Sequence, residues 1–340
     1  MALSNAPSTS TSQSLIPALD GVRGTALLLI VLTHCCGLPF GWVGVDLFFV
    51  LSGFLITRIL IKRYDQADYF KNFYKNRALR ILPLYFLIIT LYFGSEYIIY
   101  DKNAVSPLLF YTFLQNWKFA KADYAQTTAL QHTWTVCIEE QFYLIYPFVV
   151  YFFRKKLPHV LTTIIVLVLF WRFCCVIFAF DDPYIATFCR IDALLMGGAA
   201  AYFKARLQAI KAVFVYLLLG IVVLICAPQT DFYIHTLGYT VLDLAFALMI
   251  IQCTNENNEP NNTIKRLFES AILRWLGKYS YGIYLFHWLV FYGAMVHIRP
   301  LLPDFLGVKI CISLFSIAIS LVLGYLSFHF LEKHFLKLKS

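Results

Sequence analysis

Apolar residues fill this chain in long runs, interrupted at intervals by short clusters of Lys, Arg, Asn and Asp. Runs of about 18 residues or more predict membrane-spanning helices, and shorter ones do not reach across. About ten runs qualify, at residues 20–38, 43–61, 79–100, 133–153, 159–179, 185–203, 212–228, 234–253, 279–298 and 307–331. The segment 105–117 is too short to cross and reads as interfacial or re-entrant. The predicted fold is therefore an all-α integral membrane protein. Residues 1–14 are polar without a basic run and are expected to be a disordered tail, not a cleaved signal. Residues 15–340 are expected to form one transmembrane domain, with no long hydrophilic extension after the last span.

The basic residues orient this pattern. Placing both termini in the cytoplasm gathers the clusters at 62–80, 154–156, 204–211, 265–278 and 333–339 on that side. Only Lys102, Lys118, Lys121, Arg299 and Lys309 are left on the other. The bias then runs positive-inside at every loop.

Composition agrees with a membrane protein: 60% of the residues are hydrophobic and only 14% charged, where a soluble domain carries about a quarter. The net charge of +9 comes from the inner loops, so it gives no reason to expect nucleic acid as a partner. The nine cysteines fall almost entirely within apolar runs and form no CxxC pair. They read as small buried hydrophobes, with neither a disulfide framework nor a metal site.

Against this background the ionisable residues inside the runs stand out, because each costs a few kcal/mol in hydrocarbon and so marks a path or a reaction site. The first run, LDGVRGTALLLIVLTHCCGL, holds Arg23 and His34. Eleven positions is about 1100° of helix rotation, roughly 20° past three turns, so the two share one face about 16 Å apart. Arg23 falls at the cytoplasmic rim and His34 toward the outer leaflet. Asp46, Glu139, Glu140, Arg190 and Asp192 reach a similar outer level in their own spans, which predicts one shared polar cavity.

His34 is expected to act as a general base, since imidazole is matched to proton transfer near neutral pH. Asp46 or Glu139 is expected to orient and stabilise it, as the third member of a triad does; pairing of Asp46 with an arginine is the structural alternative. No Gly-x-Ser-x-Gly elbow accompanies the histidine, which favours direct transfer to a hydroxyl over an acyl-enzyme. Arg77 and Arg80, in FYKNRALRILPLYF, share a helix face at i, i+3 and suit the phosphates of a cytoplasmic cofactor. Contact with lipid headgroups is their plainer explanation. Of Glu139 and Glu140, one is expected to face the cavity and the other the interface. Arg190 and Asp192 are expected to pair within the bundle. His287, in SYGIYLFHW, reads equally as a satisfied core histidine or a second catalytic one. No HExxH, Walker A or GxGxxG motif and no metal-ligand cluster occurs.

Together these motifs resemble the membrane-bound acyltransferase family 3, which includes bacterial O-antigen and exopolysaccharide O-acetyltransferases. The resemblance runs from about residue 15 to 335. It is carried by LDGVRG with His34 (an R-x10-H pattern), GWVGVDLFFVLSGFLIT, the RxxR at Arg77 and Arg80, WTVCIEEQFYLIYP, RIDALLMGG and SYGIYLFHW. It implies ten helices in a bacterial cytoplasmic membrane. It also implies an acyl-CoA co-substrate, usually acetyl-CoA, held from the cytoplasm, with no permanently bound cofactor. The acyl acceptor would be a hydroxyl of a glycan or lipid-linked glycan of the envelope. By the same resemblance His34 is catalytic, Arg23, Arg77 and Arg80 bind the donor, and Glu139 matches the glutamate before QFY. The SGNH domain fused to some members is expected to be missing. A homodimer is left open, because lipid-facing and partner-facing surfaces look alike in sequence. The rival expectation is a proton-coupled transporter or flippase that makes no bond; no internal repeat supports it.

Overall fold

The computed structural model describes residues 16–100, 105–121, 128–207, 231–254, 263–303 and 305–339, and among these the regular structure is all helix, without a strand. The first two helices are α1 (Pro17–Cys36) and α2 (Val43–Arg63). A 32-residue helix, α3 (Tyr69–Tyr100), follows, then two short helices, α4 (Pro107–Tyr111) and α5 (Gln115–Phe119). Next come α6 (Trp134–Phe153), α7 (Leu157–Phe178), α8 (Thr187–Leu207) and α9 (Tyr239–Cys253). Then come α10 (Thr263–Phe268), α11 (Ala271–Gly293) and α12 (Leu306–Ser327), and helical structure runs on from α12 to Leu336.

Seven helical stretches among the described residues are long and apolar enough to cross a membrane, so the chain is a multi-pass membrane protein. The expected spans 133–153 and 159–179 lie in one such stretch, Gln131–Phe178, where the tight turn Arg154–Lys156 separates α6 from α7. The expected span 185–203 is helical as α8 but is not one of the seven; it carries Arg190, Asp192, Lys204 and Arg206. The expected span 212–228 and the polar tail 1–14 lie outside the described residues. Helices α3 and α11 begin about two to three turns before the apolar runs do. These leading turns carry Lys71, Lys75 and Arg77 in α3 and Arg274 and Lys278 in α11, which interrupt the hydropathy.

The segment 105–117 becomes α4 and the start of α5, held by buried amides rather than crossing. Gln115 donates to the Tyr85 and Thr133 hydroxyls (2.9 and 3.1 Å), and Asn116 donates to the Thr187 hydroxyl (2.8 Å). Non-helical backbone at membrane depth needs such protein partners.

Two helix pairs set the geometry that matters below, and glycines bring each pair together. A Cβ on Gly24 would stand 1.9 Å from the Leu273 carbonyl oxygen, and one on Gly277 would stand 1.8 Å from that of Asp20. Helices α1 and α11 therefore touch backbone to backbone. In the same way Gly53 of α2 meets Leu194 (1.8 Å) and Gly197 of α8 meets Val50 (1.9 Å). Small residues at a helix seam are how membrane helices gain packing without a hydrophobic drive between them.

The end of α1 is fixed as firmly. Gly37 takes a left-handed conformation (φ 72°), and the N–H groups of Gly37 and Leu38 cover the Thr33 and Leu32 carbonyls. That stop leaves His34 in the last turn of α1.

Candidate active site

Helix α1 presents Arg23, Ile30 and His34 along one stripe, as their spacing requires. Its neighbour α11 presents Ser280, Tyr281, Tyr284, His287 and Trp288 along another. Between these stripes, α2, α3 and α6 enclose a cavity of about 390 Å³. One end is strongly basic. Arg23, Arg77, Arg80 and Lys339 line it against only two carboxylates, Asp20 and Glu139. Arg23 is held by Asp20 at 2.7 Å, and Arg77 lies over the Tyr143 ring at 5.7 Å. The Tyr143 hydroxyl is bonded to Ser52, and the Glu139 carboxyl lies beside both hydroxyls and across from Arg77 and Arg80. The Lys339 amine is pushed down to about 7, first by burial and then by the Arg80 and Arg77 charges.

A second pocket, of about 460 Å³, shares Asp20, Arg23 and Arg80 with the first and adds Arg274, Lys278 and Trp275. Cations thus outnumber acids in both chambers, and an unneutralised excess of this kind favours an anionic ligand.

At its other end the cavity stops on Tyr284, Thr135 and Ile30. The Tyr284 hydroxyl donates to the His132 carbonyl and accepts from Thr135, each at 2.6 Å. Behind the Tyr284 ring stand three histidines. The His132 and His287 rings lie 5.3 and 5.5 Å from it, and His132 meets His287 edge-on at 5.2 Å. His34 Nδ1 is 2.8 Å from His287 Nε2, with the two rings parallel to within 3°.

The partners assign the tautomers. The Tyr284 carbonyl, 2.6 Å from His287 Nδ1, can only accept, so Nδ1 of a neutral His287 carries the proton and Nε2 the lone pair. His34 Nδ1 then donates to His287, which leaves the lone pair of His34 on Nε2. His287 and His132 are enclosed (0% and 4% exposed), whereas His34 is partly open. The arrangement places an unprotonated nitrogen of His34 behind the Tyr284 ring that closes the cavity.

The remaining sequence candidates divide. Arg23, Arg77, Arg80 and Glu139 meet in the basic chamber. Asp46 does not face His34. It is fully buried and bonded to Arg190 at 2.5 Å. Beside it Arg172 pairs with Asp192 and donates to the Cys189 carbonyl at 2.8 Å. The single polar cavity expected from depth is therefore two separate groups: a chamber among α1, α2, α3, α6 and α11, and an ion cluster among α2, α7, α8 and α9. Glu139, expected level with His34, lies instead beside Arg77 and Arg80, and direction around each helix axis was not readable from sequence. Of the two adjacent glutamates Glu139 lines the chamber and Glu140 does not; Glu140 is half-buried, with Oε1 enclosed and without a partner among the described residues. His132 went unremarked in sequence, although it opens the HTWTVCIEEQFYLIYP stretch. Its signal was a histidine at a span's threshold, level with His34.

The family profile described as "Acyltransferase domain" matches residues 16–326. A provisionally named O-acetyltransferase of Staphylococcus aureus (strain COL) is 28% identical over 358 residues, covering 95% of this chain and 57% of its own. The O-acetyltransferase OatA of Staphylococcus aureus (strain NCTC 8325 / PS 47) is 27% identical, covering 93% of this chain and 56% of its own. The chain thus spans little more than half the length of these relatives. No solved structure matches it. With the profile spanning nearly the whole of the described bundle, the chain belongs to the acyltransferase-3 family of multi-pass membrane proteins.

Proposed function

We propose that this protein is a membrane O-acyltransferase that moves an acyl group, acetyl by default, from cytoplasmic acyl-CoA to a hydroxyl of a cell-envelope glycan. The observation that carries the proposal is the pairing of a four-cation chamber with His34, whose Nδ1 is occupied by His287 and whose Nε2 is free to take a proton. The names of the relatives support acetyl as the group transferred.

In this reading the bundle has ten spans in a bacterial inner membrane with both termini in the cytoplasm, so that the basic chamber opens inward. Arg77, Arg80 and Arg23 hold the donor's phosphates, where guanidinium forks match phosphate oxygens. The neighbouring pocket with Trp275, Arg274 and Lys278 takes the rest of the nucleotide. Glu139 holds the Arg77 and Arg80 side chains apart from one another and toward the cavity, and Asp46 acts structurally through Arg190. The pantetheine arm follows the α1 stripe for about 16 Å of helix rise and displaces the Tyr284 ring to reach His34. His34 then removes the proton of an acceptor hydroxyl arriving from the opposite, partly open side.

The test uses purified protein in detergent with radiolabelled acetyl-CoA. Wild type should bind the donor and release label slowly to water. His34→Ala should bind but not turn over, and Arg80→Ala should lose binding. A well-inserted His34→Ala protein with wild-type turnover would sink the mechanism. Failure of the wild type to engage any acyl-CoA would favour a proton-coupled carrier instead.

A further inference from the structure

The transfer step proposed above lacks one group, the donor that holds the carbonyl oxygen as negative charge develops on it. Trp288 follows His287 on α11 and lies four residues beyond Tyr284, on the stripe that leads from the cavity to His34. Its ring stands 4.9 Å from the His34 ring, tilted by 58°. Its Nε1 is fully enclosed and has no acceptor among the described residues. An indole N–H can only donate, and a buried donor without an acceptor is unfavourable enough that nearly all such groups in folded proteins are satisfied. An orphan of this kind against a candidate base is a donor waiting for a ligand's oxygen.

We propose that the Trp288 Nε1–H is the oxyanion donor of this site, binding the thioester carbonyl oxygen of the acyl donor. The inference rests on the acyltransferase reading. The acceptor oxygen forms the new bond to the carbonyl carbon while its proton passes to His34 Nε2. The π pair of the carbonyl moves onto oxygen, where Nε1–H holds it. Collapse of this adduct breaks the C–S bond, and the proton on Nε2 passes to sulfur. CoA leaves as the thiol and His34 returns to its starting tautomer. His132 also has ring nitrogens without partners, but its ring packs on His287 and Tyr284 rather than on His34, one ring further from the reacting atoms.

Two variants isolate the N–H. Trp288→Phe removes it with part of the ring. Incorporation of β-(3-benzothienyl)alanine at position 288 replaces only N–H by sulfur and keeps the shape. Each is compared with wild type and His34→Ala for acetyl-CoA binding, kcat and KM. Removing one oxyanion donor lowers kcat about a hundredfold or more, so both variants should show that loss with donor binding unchanged. Wild-type kcat in both, with His34→Ala inactive, overturns the oxyanion role and leaves His34 as the base. A loss in Trp288→Phe that the benzothienyl residue restores assigns the effect to packing and also overturns it. Full activity in His34→Ala refutes instead the reading on which the proposal stands.

Discussion

The contact between His34 and His287 makes a prediction whose size can be worked out. His287→Phe keeps an aromatic ring at a fully buried position but removes the acceptor that now lies 2.8 Å from His34 Nδ1. A hydrogen bond between neutral groups contributes about 1 kcal/mol, and the orphaned donor left behind costs about 1–3 kcal/mol. If the imidazole is held for catalysis by this bond, the loss falls on the transition state. At about 1.4 kcal/mol per factor of ten, kcat should drop roughly ten- to a hundredfold. Binding of acetyl-CoA should not change, because His287 is not among the residues that line the basic chamber. The drop should also stay well short of the roughly 10⁴-fold loss seen when a triad loses its carboxylate, since the orienting group here is an imidazole without charge. His287→Gln supplies a side-chain carbonyl near the position of Nε2 and should recover most of the rate. The assay is initial rate against acetyl-CoA concentration on monodisperse protein in detergent. A folded His287→Phe protein with wild-type kcat would refute the positioning argument, and so would a Gln variant no better than Phe.

Other consequences follow from the same geometry. Gly277→Ala would place a methyl group 1.8 Å from the Asp20 carbonyl oxygen, forcing α1 and α11 apart; it should abolish turnover and lower the thermal midpoint, whereas unchanged stability would show that the seam is looser than described. Asp46→Ala leaves Arg190 buried without its 2.5 Å partner, a loss of about 3–5 kcal/mol for an uncompensated charge. It should appear as poor insertion or a depressed melting temperature, and a turnover defect at full stability would return Asp46 to the catalytic set. The Lys339 amine titrates near 7 and lines the basic chamber. It is protonated below that pH and adds a cation for the donor's phosphates, and it is neutral above. Donor affinity should therefore fall as pH rises through about 7, and Lys339→Met should flatten the dependence; an identical pH profile in the variant would remove Lys339 from the site.

Much of this site was legible along the chain, and the parts that were not share one cause. The stripe from Arg23 to His34 and the shared face of Arg77 and Arg80 follow from helical spacing alone, because both ends of each relation lie on the same helix. The partner of His34 does not. An ionisable residue in a span announces its depth, but the direction it faces depends on which helix packs beside it. Asp46 and His34, expected at one level, meet different helices, the first α8 and the second α11. The glycines carry the missing information in part. Gly21 and Gly24 in LDGVRG mark a seam on the same helix as Arg23, and Gly277 marks its counterpart one helix face away from His287. Likewise Gly53 in LSGF and Gly197 in LLMGG mark the seam that brings Asp46 to Arg190.

A glycine seam states that a helix has a close neighbour without saying which one. Glycine faces on four helices admit several pairings, and those that change the neighbour of α1 would give His34 a different companion. The pairing of α1 with α11 brings two imidazoles into line, and that of α2 with α8 neutralises the buried Arg190. A pairing that parted α2 from α8 would leave Arg190 and Asp46 without each other, charges unpaired in hydrocarbon. Desolvation of ionisable side chains thus selects the pairing that the glycines permit. The arrangement that pairs Arg190 with Asp46 is the same one that frees His34 Nε2. On this view the ion cluster and the chamber are coupled through helix choice rather than through contact. A substitution in the cluster should then disturb catalysis only by way of the fold.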